Sequence, residues 1–128
     1  MRIHHIAISV KNLEESVKFY TDNFGFIKIN SFTKPHWNGN AVILELDGTQ
    51  LEIFQFNDAK ESLDDTSNLR VLGLKHIAIE VDSVAKKYKE LKDKNLDIDK
   101  PIKGTTYAWF CFLRDSDGLS IELYEGNK

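Results

Sequence analysis

Two segments of this chain, 71 residues apart, are near copies of each other, and each carries a histidine in the same place. Residues 3–10 read IHHIAISV and residues 74–81 read LKHIAIEV, which aligns His5 with His76. Each copy is followed by a second match, LEIF at 51–54 and IELY at 121–124, which aligns Glu52 with Glu122 at an offset of 70. Gly25 and Asn95, and then Gly48 and Gly118, keep that offset of 70. Landmarks of four kinds agree on one spacing, which chance similarity of a single motif would not produce. The chain reads as one structural unit used twice.

The unit itself can be read from its first copy. From Ile3 to Val10 the residues alternate, with Ile6, Ile8 and Val10 on one face and His5, Ala7 and Ser9 on the other, as in a half-buried strand. Asn12 is placed to cap a helix, with Glu15 three residues on. Leu13, Val17, Tyr20 and Phe24 recur at helical spacing until Gly25 stops them. Phe26–Phe32 reads as a strand, 34–39 as a loop, and 40–46 and 49–56 as two strands around Asp47-Gly48, the strongest hairpin signal in the chain. The second copy predicts the strand 74–81, then a helix begun by Ser83 with Val84, Tyr88 and Leu91 on one face and ending near Asn95. Strands at about 96–102, 107–114 and 119–125 follow. The expectation is an α+β chain of two βαβββ modules in one domain spanning 1–128. Module 1 covers about 1–56 and module 2 about 73–126, joined by a long polar connection, 57–72, that is either a linker or a functional lid. The lysine-rich run 86–94 is the wet face of the second helix.

Bulk properties exclude several functions. Seventeen basic against twenty acidic residues leave a net charge of −3, so the chain has no electrostatic footprint for nucleic acid or an anionic membrane. The first twenty residues hold charges every few positions and no apolar stretch of secretory type, and nothing later is long enough to span a bilayer. A cytoplasmic protein with a small-molecule partner is expected. Cys111, the single cysteine, lies in the apolar run YAWFCFL and reads as a small buried hydrophobe rather than a nucleophile.

If helices cover the faces carrying the isoleucines, His5 and His76 point to the opposite side of their sheets. Alternation also sends Glu52 away from Leu51 and Ile53, and Glu122 away from Ile121 and Leu123. Carboxylates placed together among apolar residues are costly unless a positive charge compensates them. A divalent cation is the simplest compensation. Two imidazoles and two carboxylates suit a borderline ion such as Zn²⁺, Ni²⁺, Co²⁺, Fe²⁺ or Mn²⁺, and ligand type does not choose among these. At any one position alone, a packed histidine or a surface glutamate is the plainer reading. The repeat of all four in register favours the metal set His5, Glu52, His76 and Glu122.

HHIAISV, LEIF, KHIAIEV and DSDGLSIELYE together resemble the vicinal oxygen chelate superfamily, which includes glyoxalase I, fosfomycin-resistance proteins, methylmalonyl-CoA epimerase, extradiol dioxygenases and bleomycin-binding proteins. The likeness runs from Ile3 to Glu125, and DSDGLSIELYE is its most specific part. It implies paired βαβββ modules forming an incomplete barrel around a metal held by His5, Glu52, His76 and Glu122, and a substrate that offers two adjacent oxygens. The His, Glu, His, Glu order is similar to that of glyoxalase I. This implies a lactoylglutathione lyase-like lyase or isomerase in which an enediolate is stabilised and a metal-site glutamate moves a proton between neighbouring carbons, Glu122 first and Glu52 as the alternative. Small bacterial glutathione-using members carry an arginine and an asparagine where this chain has Ser9 and Phe56, which points away from a glutathione substrate. The alternative function is a metal-independent binder or antibiotic-resistance protein of the bleomycin-binding or fosfomycin-modifying type. Phe54, Tyr124 and Trp109 are candidates to line the pocket, with core packing as the plainer reading, and His36 and Trp37 lie in a loop that could border it. A homodimer is expected, with the modules paired within one chain or exchanged between two.

Overall fold

A computed structural model describes residues 1–62, 64–106 and 108–126. The chain divides into two compact units, 1–62 and 63–128.

In the first unit, β1 (His5–Ser9) leads into α1 (Leu13–Phe24), then β2 (Ile27–Phe32), β3 (Gly39–Leu46) and β4 (Thr49–Phe56). Asn12 begins the helix as its sequence position predicts, its side-chain oxygen accepting from the backbone N–H of Glu15 at 2.9 Å. Gly25 ends it with φ +77°. The sheet runs in the order β1-β4-β3-β2, with β1 parallel to β4 and the other pairs antiparallel. Asp47 and Gly48 both take positive φ, as a tight turn joining β3 to β4 requires. Val42 and Leu44 of β3, Leu51 and Ile53 of β4 and Tyr20 of α1 are buried and form this unit's core. Each such aliphatic side chain contributes about 1.5–3 kcal/mol on burial.

The second unit repeats the plan with β5 (His76–Glu80), α2 (Val84–Asp93), β6 (Ile102–Lys103), β7 (Trp109–Arg114) and β8 (Ser120–Glu125), in the sheet order β5-β8-β7-β6. Its core is Val84, Leu91, Ile98, Cys111, Leu113, Ile121 and Leu123. Ser83 caps α2 through the Lys86 N–H, and Asn95 takes the left-handed conformation at φ +61° just past its end. The two βαβββ modules of an α+β fold are thus both present, each with an open four-stranded sheet.

The modules are unequal at one place. The strand expected over 96–102 is reduced to an isolated bridge between Ile98 and Leu113 and the two-residue β6. Pro101 has no N–H to give a ladder, and Asp97, Asp99 and Lys100 are exposed around the single buried Ile98. The expected strand start at residue 107 lies outside the described residues, and β7 is formed from Trp109.

A second repeated device was not anticipated. The first helical N–H of α1, on Leu13, donates to Gln55 Oε1 at 2.6 Å, and that of α2, on Val84, donates to Glu125 Oε2 at 2.9 Å. Gln55 and Glu125 each lie three residues beyond the repeated glutamate on the same strand. Each helix start is therefore tied to the strand that carries Glu52 or Glu122, and an otherwise orphaned helix donor is satisfied.

Candidate metal and substrate site

Strand register places the four repeated residues. In the first unit His5 lies opposite Gln50 and Ala7 opposite Glu52, while in the second His76 lies opposite Ser120 and Ala78 opposite Glu122. Each histidine and its glutamate therefore stand diagonally across a parallel pair, on the sheet face away from the buried Leu51 and Ile53 or Ile121 and Leu123.

In the second unit the two side chains meet. His76 Nε2 lies 2.9 Å from Glu122 Oε2, with the glutamate side chain 8% exposed and the histidine 30%. Phe112, opposite Glu122 on β7, sets its ring edge-on to the imidazole, with centroids 5.2 Å apart. In the first unit the backbone register is the same but the imidazole has a different partner: His5 Nδ1 lies 2.9 Å from His4 Nδ1. Among the described residues, no group of three or more His, Cys, Asp or Glu side chains is arranged to hold a metal ion. What each module supplies is one nitrogen and one oxygen donor at matching positions. The donors of the second fit a metal in spacing as well as type. Two adjacent ligands of an octahedral ion at bond lengths of about 2.1 Å lie about 3 Å apart, close to the observed separation.

His76 also borders a cavity of about 210 Å³ within the second unit, shared with Ser120, Phe112, Arg114, Asp99 and Leu69. Arg114 lies opposite Ser120, so β7 alternation brings Phe110, Phe112 and Arg114 to the Glu122 face and turns Trp109, Cys111 and Leu113 to the other. Trp109 is thereby removed from the candidate pocket. It is 42% exposed on the sheet face that carries the core. Cys111 is buried there, and loss of solvent, with Asp99 adding to it, pushes its thiol up to about 11, as expected of an inert packing residue. Arg114 Nη2 donates to Asp99 at 2.9 Å, and this bond raises the guanidinium above its already high ordinary value. Leu69, Thr66 and Ser67 bring part of the 57–72 connection to the cavity wall. Lys75 Nζ, which donates to the carbonyls of Asp65 and Asn68, holds that segment in place.

On the Glu52 face of the first unit, Phe54 and Phe56 stack with rings 10° from parallel, and Trp37 packs edge-on to both. His36 is exposed. Gly39 allows the Trp37 loop to approach this closely: a Cβ there would overlap the Gln55 carbonyl oxygen and sit 2.8 Å from Phe56 Cδ1.

The DSDG segment positions Glu122. Asp115 is 6% exposed and its Oδ1 accepts from the N–H groups of Asp117 and Leu119, 2.9 Å each, turning the chain into β8. That this motif, the histidine and the LEIF copy sit on matching elements is decisive alongside sequence comparison. A family model described as the Glyoxalase/Bleomycin resistance protein/Dioxygenase superfamily matches residues 2–123. The chain belongs to this superfamily. The Bacillus subtilis (strain 168) protein YwkD is 34% identical over 126 residues, which is 96% of this chain and 95% of that one. The lactoylglutathione lyase of Salmonella typhimurium is 26% identical over 132 residues, covering 98% of this chain and 93% of that enzyme. Among solved structures, a glyoxalase family protein from Enterococcus faecalis matches with a TM-score of 0.82 at 27% identity, over 97% of each chain. The superfamily includes glyoxalase I enzymes, and its members commonly use divalent metals. Arg114, Phe112, Asp99 and Ser120 line the cavity beside His76 and were passed over in the sequence, although alternation from Cys111 and Leu113 would have put Phe112 and Arg114 on the Glu122 face. No helix among the described residues is long and apolar enough to cross a membrane.

Proposed function

We propose that this chain is a metal-dependent enzyme of glyoxalase I type, a lyase or isomerase acting on a small molecule with two adjacent oxygens. Its two modules work as one domain. His5 and Glu52 from module 1 and His76 and Glu122 from module 2 would hold a divalent transition ion, drawn from Ni, Zn, Co, Fe and Mn. The observation that carries this reading is the His76–Glu122 pair at 2.9 Å, together with the identical strand register of His5 and Glu52. When bound, the ion supplies Lewis-acid polarisation of adjacent carbonyl and hydroxyl oxygens. Glu122 takes the proton from one carbon and returns it to its neighbour, with Glu52 as the alternative base. Burial of the Glu122 carboxylate excludes competing water, and Phe112 limits rotation of the His76 ring. The similarity to the Salmonella lactoylglutathione lyase supports this chemistry. A cytoplasmic homodimer, its modules paired within or between chains, completes the proposal.

One feature favours a second reading. The direct hydrogen bond satisfies His76 and Glu122 without an ion, as it would in a metal-independent ligand-binding or antibiotic-resistance protein on the same fold. Metal analysis of protein purified without chelators separates the two. About one divalent ion per four-donor set is expected, lost in the His5→Ala, His76→Ala double variant. Stoichiometric metal in that variant, or none in the parent protein on titration with each of the five ions, would overturn the enzyme reading.

A further inference from the structure

The first unit holds its histidine differently from the second. In the second, His76 Nε2 faces Glu122 and Phe112 stands edge-on to the ring. In the first, the imidazole is engaged at its other nitrogen: His5 Nδ1 and His4 Nδ1 are 2.9 Å apart, with the two rings at 87°. His4 is not a loose terminal residue. Its carbonyl accepts at 3.0 Å from the N–H of Gln50, two residues before Glu52 on β4. Arg2 Nη1 donates at 2.6 Å to the carbonyl of Gly48, in the turn that leads into the same strand. The segment ahead of β1 is thus tied at two points to the hairpin that carries Glu52.

Two uncharged imidazole nitrogens at this distance share one proton, so one donates and the other accepts. An imidazole that ligates a metal through one nitrogen carries its proton on the other, and an acceptor for that N–H fixes both the ring and the tautomer. With Nδ1 taken by His4, the nitrogen left for an ion is Nε2, the same atom that His76 turns toward Glu122. His4 must then be the acceptor, because a proton on His5 Nε2 would occupy the lone pair that an ion needs. The second copy has Lys75 at the matching position. Its ammonium has donors only, and these go to the carbonyls of Asp65 and Asn68. His4 therefore does for its module what the repeat does not duplicate.

We infer that His4 is a positioning residue: it accepts the His5 Nδ1–H and so presents His5 to an ion through Nε2. This rests on the glyoxalase-type reading only in taking His5 as a metal ligand. The tautomer itself is set without an ion.

The test reads the ring nitrogens of His4 and His5 by long-range proton–nitrogen NMR, on metal-free protein at about pH 8.5, where an ordinary imidazole is uncharged. The His5 proton is expected mainly on Nδ1 and the His4 proton on Nε2. His4→Phe keeps a ring and removes the acceptor, and should move the His5 proton to Nε2, the tautomer that a free histidine side chain favours. His4→Asn, whose Oδ1 stands where Nδ1 does, should keep it on Nδ1. Added Zn²⁺ should shift the His5 Nε2 signal while Nδ1 stays protonated. Zn²⁺ affinity should fall about tenfold or more in His4→Phe, the usual size of such an effect from beyond the ligands, and recover to within about threefold of the parent in His4→Asn. A merely structural role for this exposed side chain would leave the tautomer unmoved, and thermal melts establish that each variant is folded. If the protein takes up no Zn²⁺, the four-donor site fails and the metal-free tautomer decides here alone. A His5 proton on Nε2 in the parent, an unmoved tautomer in His4→Phe, Zn²⁺ ligated at both Nδ1 atoms, or full Zn²⁺ affinity in His4→Phe would overturn the inference.

Discussion

Replacing Glu122 by glutamine separates the proton-moving role of this side chain from its structural one. The carboxylate is 8% exposed and accepts from His76 Nε2 at 2.9 Å. Glutamine keeps the shape, and its amide oxygen still accepts that bond. The change is from a charge-assisted bond worth about 1.5–3 kcal/mol to a neutral one worth about 0.5–1.5, so the loss of stability should be about 1 kcal/mol. For a domain of this size that lowers the melting temperature by roughly 2–6 °C. The amide cannot take a proton, and removing a positioned base costs a factor on the order of 10²–10⁴, or about 3–5 kcal/mol of barrier. The assay is turnover of hemithioacetals formed from methylglyoxal and a panel of small thiols, measured at saturating metal so that weakened ion binding does not contribute. Glu122→Ala serves as the contrast. It strands the His76 N–H beside the cavity and should cost both stability and rate. A Glu122→Gln variant that melts within this range and turns over at the parental rate would refute Glu122 as the base and pass the role to Glu52.

Gly39→Ala should destabilise the protein by about 3 kcal/mol, because the new methyl meets the Gln55 carbonyl and the Phe56 ring and β3 must part from β4. A urea midpoint within about 0.5 kcal/mol of the parent would contradict this. Cys111 ionises at about 11 in the fold against an ordinary 9.0, so the unfolded chain releases that proton first and stability should fall as pH rises from 9 toward 11. Cys111→Ala should flatten the change in urea midpoint over that window, and equal slopes in the two proteins would count against a buried thiol. Finally, Ser9 is exposed on β1 and Phe56 is packed against Trp37, so neither offers a polar grip on a peptide, and unpaired peptide groups cost about 1–3 kcal/mol each. The methylglyoxal–glutathione adduct should be a poor substrate, and a kcat/KM above ~10⁵ M⁻¹s⁻¹ would show that other residues hold the peptide.

The βαβββ plan was legible because its signals are local. Asn12, Gly25, Asp47-Gly48 and Ser83 act through bonds within a few residues, and alternation in HIAIS and HIAIE follows from the pleat alone. The weakest element, 96–102, failed for an equally local reason, the missing N–H of Pro101 among polar neighbours. Sequence also determined the pairing of His76 with Glu122 as candidates, since both leave the face that carries the isoleucines. Tertiary structure decided the rest. The β5–β8 register, set by packing between segments more than forty residues apart, brings His76 to Glu122. Equal register in the first unit gives His5 a different neighbour, because His4 stands where the second copy has Lys75. The bridge of Ile98 to Leu113 sets Asp99 beside Arg114, and Thr66, Ser67 and Leu69 come to border the cavity. None of these follows from periodicity, because each depends on which segments distant in sequence pack together, and in what register, so that their buried faces match.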